Sequence, residues 1–160
     1  MQKQINLELL LRDLYESISE LSVVLDAEYE ALNAQDVELL QKAAMAKDGL
    51  SEKVDELEAN RRALLDALGL DNDLTGMKLL IQDCSSQKED ELFKIWNMVS
   101  ELAQECTTKN KLNGIIIEAK RRQTDAALSI LQGNNPDHNE LYDAEGTTVS
   151  NKSNSTIAKA

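Results

Sequence analysis

Leucine or isoleucine occupies positions 7, 11, 14, 18, 21, 25 and 32, stepping in alternating fours and threes, and only Glu28 interrupts the series. A spacing of 3.5 residues keeps one narrow stripe of a helix turned toward a partner helix. The chain is therefore expected to build on long paired helices, and its function is to be sought on surfaces rather than in pockets. The palette agrees: 42% of residues are apolar but only 3% are aromatic. A core of Leu, Ile, Val and Ala between helices uses that palette better than a sheet sandwich would. One proline and six glycines in 160 residues leave few turns between few long elements.

The first helix is expected over residues 6 to 33, roughly 40 Å at the α-helical rise. The link Asn33-Ala34-Gln35-Asp36 is too short for anything but an antiparallel return, and it contains neither Gly nor Pro. Asp36 is placed to cap the second helix, with Glu38 adding negative charge at its positive end. That helix repeats the threes and fours through Leu40, Ala43, Lys47, Leu50, Val54, Leu57, Arg61, Leu64 and Leu68. Gly69 is placed as the left-handed residue that ends it, with Leu70 folding back as the accompanying hydrophobic contact. A hairpin centred between residues 34 and 35 sets Lys47 against the region of Glu20 and Arg61 against Glu8. In that register Glu28 faces Leu40 near the tip, where its carboxylate reaches water.

Asp71 to Gly76 reads as a loop, followed by a short helix with Met77, Leu80, Ile81 and Cys84 on its buried side. Ser86-Gln87-Lys88-Glu89 has the form of a capping box and opens the last helix. Its stripe runs through Leu92, Trp96, Val99, Ala103, Cys106, Asn110, Asn113, Ile117, Lys120, Thr124, Ala127 and Leu131, and Gly133-Asn134-Asn135-Pro136 ends it. Unbroken, this helix is about 45 residues and roughly 65–70 Å long, so part of it would outrun the hairpin. Gly114 is the place where it would break or kink instead. Among residues 134–160 only Leu141, Tyr142, Val149 and Ile157 are large and apolar, too little burial to offset ordering, so this segment is expected to be a mostly disordered tail. The expected architecture is all-α: an antiparallel long-helix bundle of coiled-coil-like packing over residues 1–133, made of a helical hairpin, a short connecting helix and a long third helix.

Seventeen cations against 29 carboxylates give a net charge of −12, which repels phosphate and makes nucleic acid and anionic membranes poor partners. No stretch reaches membrane-spanning length and the N-terminus lacks a basic region followed by an apolar run, so a cytoplasmic protein without membrane insertion is expected. Cys84 and Cys106 stand alone, without a second pair or a nearby histidine, and read as reduced thiols. His138, the sole histidine, reads as a solvated tail residue, and no phosphate-binding glycine loop or helical E-x-x-H pair is present. Neither catalysis, nor a metal, nor a cofactor is expected.

Surface features remain. Ile115-Ile116-Ile117 spreads over about 200° of a helix, so one neighbour cannot cover all three. The run is either core touched from two sides or a surface awaiting a partner helix, and Ala127, Leu128, Ile130 and Leu131 pose the same choice. Trp96 fits a core seam or a binding hot spot. Asn110 and Asn113 fit a register-fixing polar layer or a contact with a client. Tyr142, isolated in the tail, is incidental or part of a short docking motif.

Trp96, Glu105-Cys106, Asn110, Asn113-Gly114, Lys120-Arg121-Arg122, Leu128-Ser129-Ile130-Leu131-Gln132-Gly133 and Tyr142-Asp143-x-x-Gly146, in that order and spacing, resemble the FlgN-type flagellar export chaperones. The specific part covers roughly residues 92 to 146; the leucine-rich hairpin with a lysine near Lys47 is similar but generic. The resemblance implies a small helical cytoplasmic chaperone for hook–filament junction proteins of the FlgK and FlgL kind. Such a chaperone holds the client's C-terminal helix, prevents premature assembly and delivers the client to the cytoplasmic domain of the export gate. Carried onto this chain, client contacts would come from Asn113, Ile116, Ile117, Ala127, Leu128 and Leu131, and Tyr142 would dock to the gate. Two other readings stay open: a structural coiled coil that pairs with itself, including a homodimer when client-free, and a helical regulator that sequesters a partner.

Overall fold

The computed structural model describes residues 2–84, 89–132, 140–142 and 148–150. Four helices follow in order: α1 (Gln2–Ala34), α2 (Val37–Asp66), α3 (Leu74–Cys84) and α4 (Glu89–Leu131). The described fold is an all-α bundle, with one short addition. Strands β1 (Glu140–Tyr142) and β2 (Thr148–Ser150) pair antiparallel, Leu141 opposite Val149 and Tyr142 opposite Thr148. Periodicity gives no warning of three-residue strands. The chain divides into two compact units, residues 1–117 and 118–160. The capping box at Ser86, the terminating Gly133 to Pro136, His138 and most of the expected tail lie outside the described residues.

In the first unit α1 and α2 form the antiparallel hairpin, and its turn is tighter than the sequence advertises. Gln35 adopts a left-handed φ of 57°, a conformation that normally favours glycine. The amide of Asp36 donates to Ala31 O at 3.0 Å and that of Gln35 to Leu32 O at 3.4 Å, so the last carbonyls of α1 are satisfied. The Asp36 carboxylate then accepts from Leu39 N at 3.0 Å, starting α2 one residue later. At the far end Gly69 carries φ 66°, and Leu70 N and Gly69 N donate to Leu65 O and Asp66 O, both at 3.0 Å. Leu70 packs on the core as the sequence places it, but the fully buried residue of this turn is Leu65, not the expected Leu64 or Leu68, which are half-buried.

Every seam position of α1 except the half-buried Leu21 is buried, Glu28 included. Leu7, Leu10, Leu11 and Leu14 meet Leu65 of α2, Leu92 of α4 and the α3 residues Met77, Leu80 and Ile81 in one cluster. The short helix thus plugs the base of the bundle with three residues the sequence assigns to its buried side. Asp73 caps it, accepting from Gly76 N at 2.7 Å, and Gly76 is required: a Cβ there would stand 1.9 Å from Asp71 O. Beside the plug Arg61 is buried, paired with Glu58 at 3.0 Å, bonded to Asn72 Oδ1 at 2.7 Å and stacked 5.3 Å from the centre of the Trp96 ring.

α4 runs parallel to α1. Arg12 meets Glu91 at 3.0 Å, Cys106 approaches Ile18 O at 3.5 Å and Asn113 bonds Leu25 O at 2.9 Å, so both numbers rise together. Gly114 does not interrupt α4, which is continuous over 43 residues.

Candidate functional site

One polar member of each long-helix stripe meets the other two: Glu28, Lys47 and Asn113. Glu28 of α1 is only 2% exposed; its carboxylate accepts from Lys47 Nζ of α2 at 2.5 Å and from Asn113 Nδ2 of α4 at 2.8 Å. Asn113, 1% exposed, spends its second amide hydrogen on Leu25 O. A buried carboxylate is tolerated when donors satisfy its oxygens; here a lysine ammonium and an asparagine amide do so, and each long helix supplies one member. Such a layer fixes register, because sliding any helix by one residue would strand a buried charge.

This geometry corrects three expectations. Glu28 does not reach water near the tip, Lys47 pairs with it rather than with the region of Glu20, and Arg61 pairs with Glu58 and Asn72 rather than Glu8. The difference is one of register: Lys47 pairs with a carboxylate nearer the hairpin turn than a centre at residues 34 and 35 places opposite it. Asn113 is likewise a member of the bundle's own polar layer, and its side chain is not available to a client. Asn110 is exposed and separate from it. Part of the signal lies in the sequence: Glu28 is the single polar member of the α1 seam, and a buried polar residue requires partners, but α2 offers Lys47 and Arg61 and α4 offers Asn110, Asn113, Lys120 and Thr124, so the pattern does not choose among them.

One helical turn before Asn113, Lys109 bridges Asp26 of α1 and Glu105, both at 2.8 Å, and donates to Ser22 Oγ at 2.9 Å. The bond to Asp26, and then that to Glu105, holds the Lys109 ammonium above the ordinary lysine range. Burial pushes the neighbouring Cys106 thiol up, against the pull of Ser22 and Lys109. Between α2 and α4 an open groove of about 290 Å³ is lined by Ile18, Leu25, Val54, Ala103, Cys106 and Asn110, among others. Its walls carry no cluster of convergent catalytic groups. Among the described residues no group of histidine, cysteine and carboxylates could hold a metal, and no helix is long and apolar enough to cross a membrane.

Past Asn113 the α4 stripe emerges. In the first unit Ile116 is half-buried, whereas Ile115 and Ile117 are 57% and 40% exposed, with Leu112 also exposed. In the second unit Ala127 is exposed, and Leu128, Ile130 and Leu131 are 48%, 64% and 82% exposed. The three consecutive isoleucines are thus neither all core nor all surface. Trp96 is half-buried and packs against the core at the base, apart from this surface. Tyr142 lies in β1, outside the helices. In the second unit Arg121 bridges Glu118 at 2.9 Å and Asp125 at 3.3 Å, holding the Glu118 carboxyl below its usual range.

A helical bundle whose longest helix leaves aliphatic side chains uncovered has the kind of surface by which proteins bind other chains. The family model described as FlgN protein matches residues 1–150, and the chain belongs to that family, one of flagellar export chaperones rather than enzymes. No curated protein and no solved structure matches the chain.

Proposed function

We propose that the chain is a cytoplasmic chaperone that binds the C-terminal helix of hook–filament junction proteins of the FlgK and FlgL kind through the late part of α4. In this reading Ile116, Ile117, Ala127, Leu128 and Leu131 supply the contacts, assembly is blocked until export, and Tyr142 docks the loaded chaperone on the cytoplasmic domain of the export gate. The observation that supports it is the change along one stripe: α4 is covered at Leu92, Val99 and Cys106, yet Ile117, Leu128 and Leu131 are open to solvent. A client that polymerises through amphipathic terminal helices is blocked by a substitute helix with a matching stripe. The −12 charge keeps the loaded complex soluble.

Co-purification with a FlgK-kind client and native mass measurement test the reading. A one-to-one complex is expected, weakened more than tenfold by Leu128→Asp with Leu131→Asp; an unaltered complex removes the proposed surface. A homodimer is the competing reading, favoured by the second exposed set, Leu112, Ile115 and Ile130. Sedimentation across a concentration range separates the two, since a tight dimer that excludes client supports self-association.

A further inference from the structure

Residues 109–122 hold five cations, Lys109, Lys111, Lys120, Arg121 and Arg122, against one carboxylate, Glu118, in a chain whose net charge is −12. This stretch is the exception to an acidic molecule, and it leads into the exposed aliphatics of α4. An eleven-residue step is three helical turns, so Lys109 and Lys120 occupy the same border of the helix, and Asn113 and Thr124 the same seam. The bundle itself shows how that border is used. Where α1 covers α4, Asp26 delivers a carboxylate to Lys109 at 2.8 Å while Asn113 is enclosed in the seam.

One repeat later the same spacing recurs at Lys120 and Thr124. Thr124 turns its hydroxyl to Lys120 O at 3.1 Å, and Leu128 and Leu131 stand open. No described residue forms an ion pair with Lys120. On the opposite border Arg121 is held between Glu118 and Asp125, so it is a cation already partly neutralised. Lys111 and Arg122 are also without an ion pair among the described residues but lie on the far side of the helix, so the charge left to be matched beside the stripe is that of Lys120.

We infer that the face of α4 carrying Lys120, Thr124, Leu128 and Leu131 receives an acidic amphipathic helix of the partner, whose border carboxylate does for Lys120 what Asp26 of α1 does for Lys109. This rests on the client-binding reading above and adds the partner's charge pattern and the residue that reads it. The aliphatics need a helix with an apolar stripe, and Lys120 needs a carboxylate beside that stripe. An anionic membrane or nucleic acid would satisfy the lysine but would meet the repulsion of the remaining, strongly acidic surface.

The test titrates the full chain with two synthetic amphipathic helices that share one leucine stripe and differ only in Glu or Lys at the border positions. The Glu helix should bind about tenfold more tightly, as one interfacial charge pair allows, and Lys120→Glu should reverse the preference. Circular dichroism confirms that the variant is folded. Equal binding of both helices, binding of neither, or a preference that survives Lys120→Glu overturns the inference. So does Lys120-dependent capture by phosphatidylglycerol vesicles with no preference between helices. If Leu128→Asp with Leu131→Asp abolishes the FlgK-kind complex while Lys120→Glu leaves it intact, the charge reading fails and client binding stands. If the aspartate pair leaves that complex intact, both fail.

Discussion

α1 and α4 carry the same kind of stripe, aliphatic residues in threes and fours, but they use it differently. α1 hides its stripe from Leu7 to Leu32, because α2 and α4 both pack on it. α4 buries Leu92, Val99, Cys106 and Asn113 of its own, with Asn110 exposed between them, and leaves Ile117, Leu128 and Leu131 exposed beyond. Apolar periodicity therefore says that a helix face wants a partner, and says nothing about whether the partner belongs to the same molecule. In the function proposed above the two helices divide the work accordingly: the closed stripe holds the fold and the open one receives the client, the arrangement expected where stability and function make opposite demands on apolar surface.

The largest expected contrast comes from truncating one leucine in each stripe. Leu14→Ala, at a position with no solvent exposure, should cost about 3 kcal/mol through lost burial and the cavity left behind. Leu131→Ala should change stability by no more than about 0.5 kcal/mol and should instead weaken client binding. Urea unfolding of both variants measures the difference. Similar losses in the two would mean that the end of α4 is covered after all, and the contrast between the helices would collapse.

The polar layer is the next place to press. Glu28→Ala leaves Lys47 and Asn113 without their shared acceptor and should cost about 2–3 kcal/mol, since donors stranded in the interior lose their compensation. Replacing the layer entirely, with Glu28→Leu, Lys47→Met and Asn113→Leu together, should recover most of that loss while loosening register. Were Glu28 at a wet hairpin tip, the single substitution would fall within about 0.5 kcal/mol. A double-mutant cycle between Glu28 and Asn113 discriminates directly, with a coupling of about 1 kcal/mol or more expected for groups in one network.

That layer also shows where sequence reasoning succeeds and where it stops. The helices, the Asp36 cap, the Gly69 ending with its Leu70 contact, and the buried side of α3 all follow from interactions within a few residues, so local pattern suffices. Interhelical register does not follow from pattern alone, because Lys47 and Arg61 are long enough to choose among several partners. Gln35 hides its left-handed turn for a related reason: the hairpin imposes a conformation that the residue itself does not announce. The open aliphatics could be seen as ambiguous in sequence, but their exposure is a tertiary fact. Asn113 was the misplaced member of the candidate surface, since an asparagine in a seam serves the interior or a client with the same side chain.

A pH experiment probes the junction of α1 and α4. Lys109 and Cys106 both hold their protons more tightly in the folded chain than the ordinary values, Lys109 through Asp26 and Glu105, Cys106 through burial. The folded state therefore binds more protons in the alkaline range, and ∂ΔG/∂pH is negative there. The stability these groups contribute is fully present below their ordinary values and is lost as pH rises through the raised folded ones. Thermal unfolding followed from neutral to alkaline pH should show a fall that is shallower in Lys109→Gln and in Cys106→Ala. An unchanged slope in both variants would place the alkaline loss elsewhere.

The smallest effect falls where the two uses of α4 meet. Gly114 lies one residue past the buried Asn113, within a continuous helix, and a Cβ added there would touch nothing within 4 Å. An alanine removes the backbone freedom that glycine keeps in the unfolded chain, so Gly114→Ala should stabilise by about 0.5–1 kcal/mol, raising Tm by a few degrees. Its consequence for binding separates two ways in which the open stripe could work. If α4 presents its aliphatics as a straight rod, the variant binds client as well as or slightly better than the native chain, because the bound conformation is already the free one. If the helix must bend at Gly114 to wrap a client, the same substitution stabilises the free chain and weakens the complex. Calorimetric Tm and client affinity measured on this one variant decide between them, and only the first outcome is consistent with an open stripe held ready by the closed one.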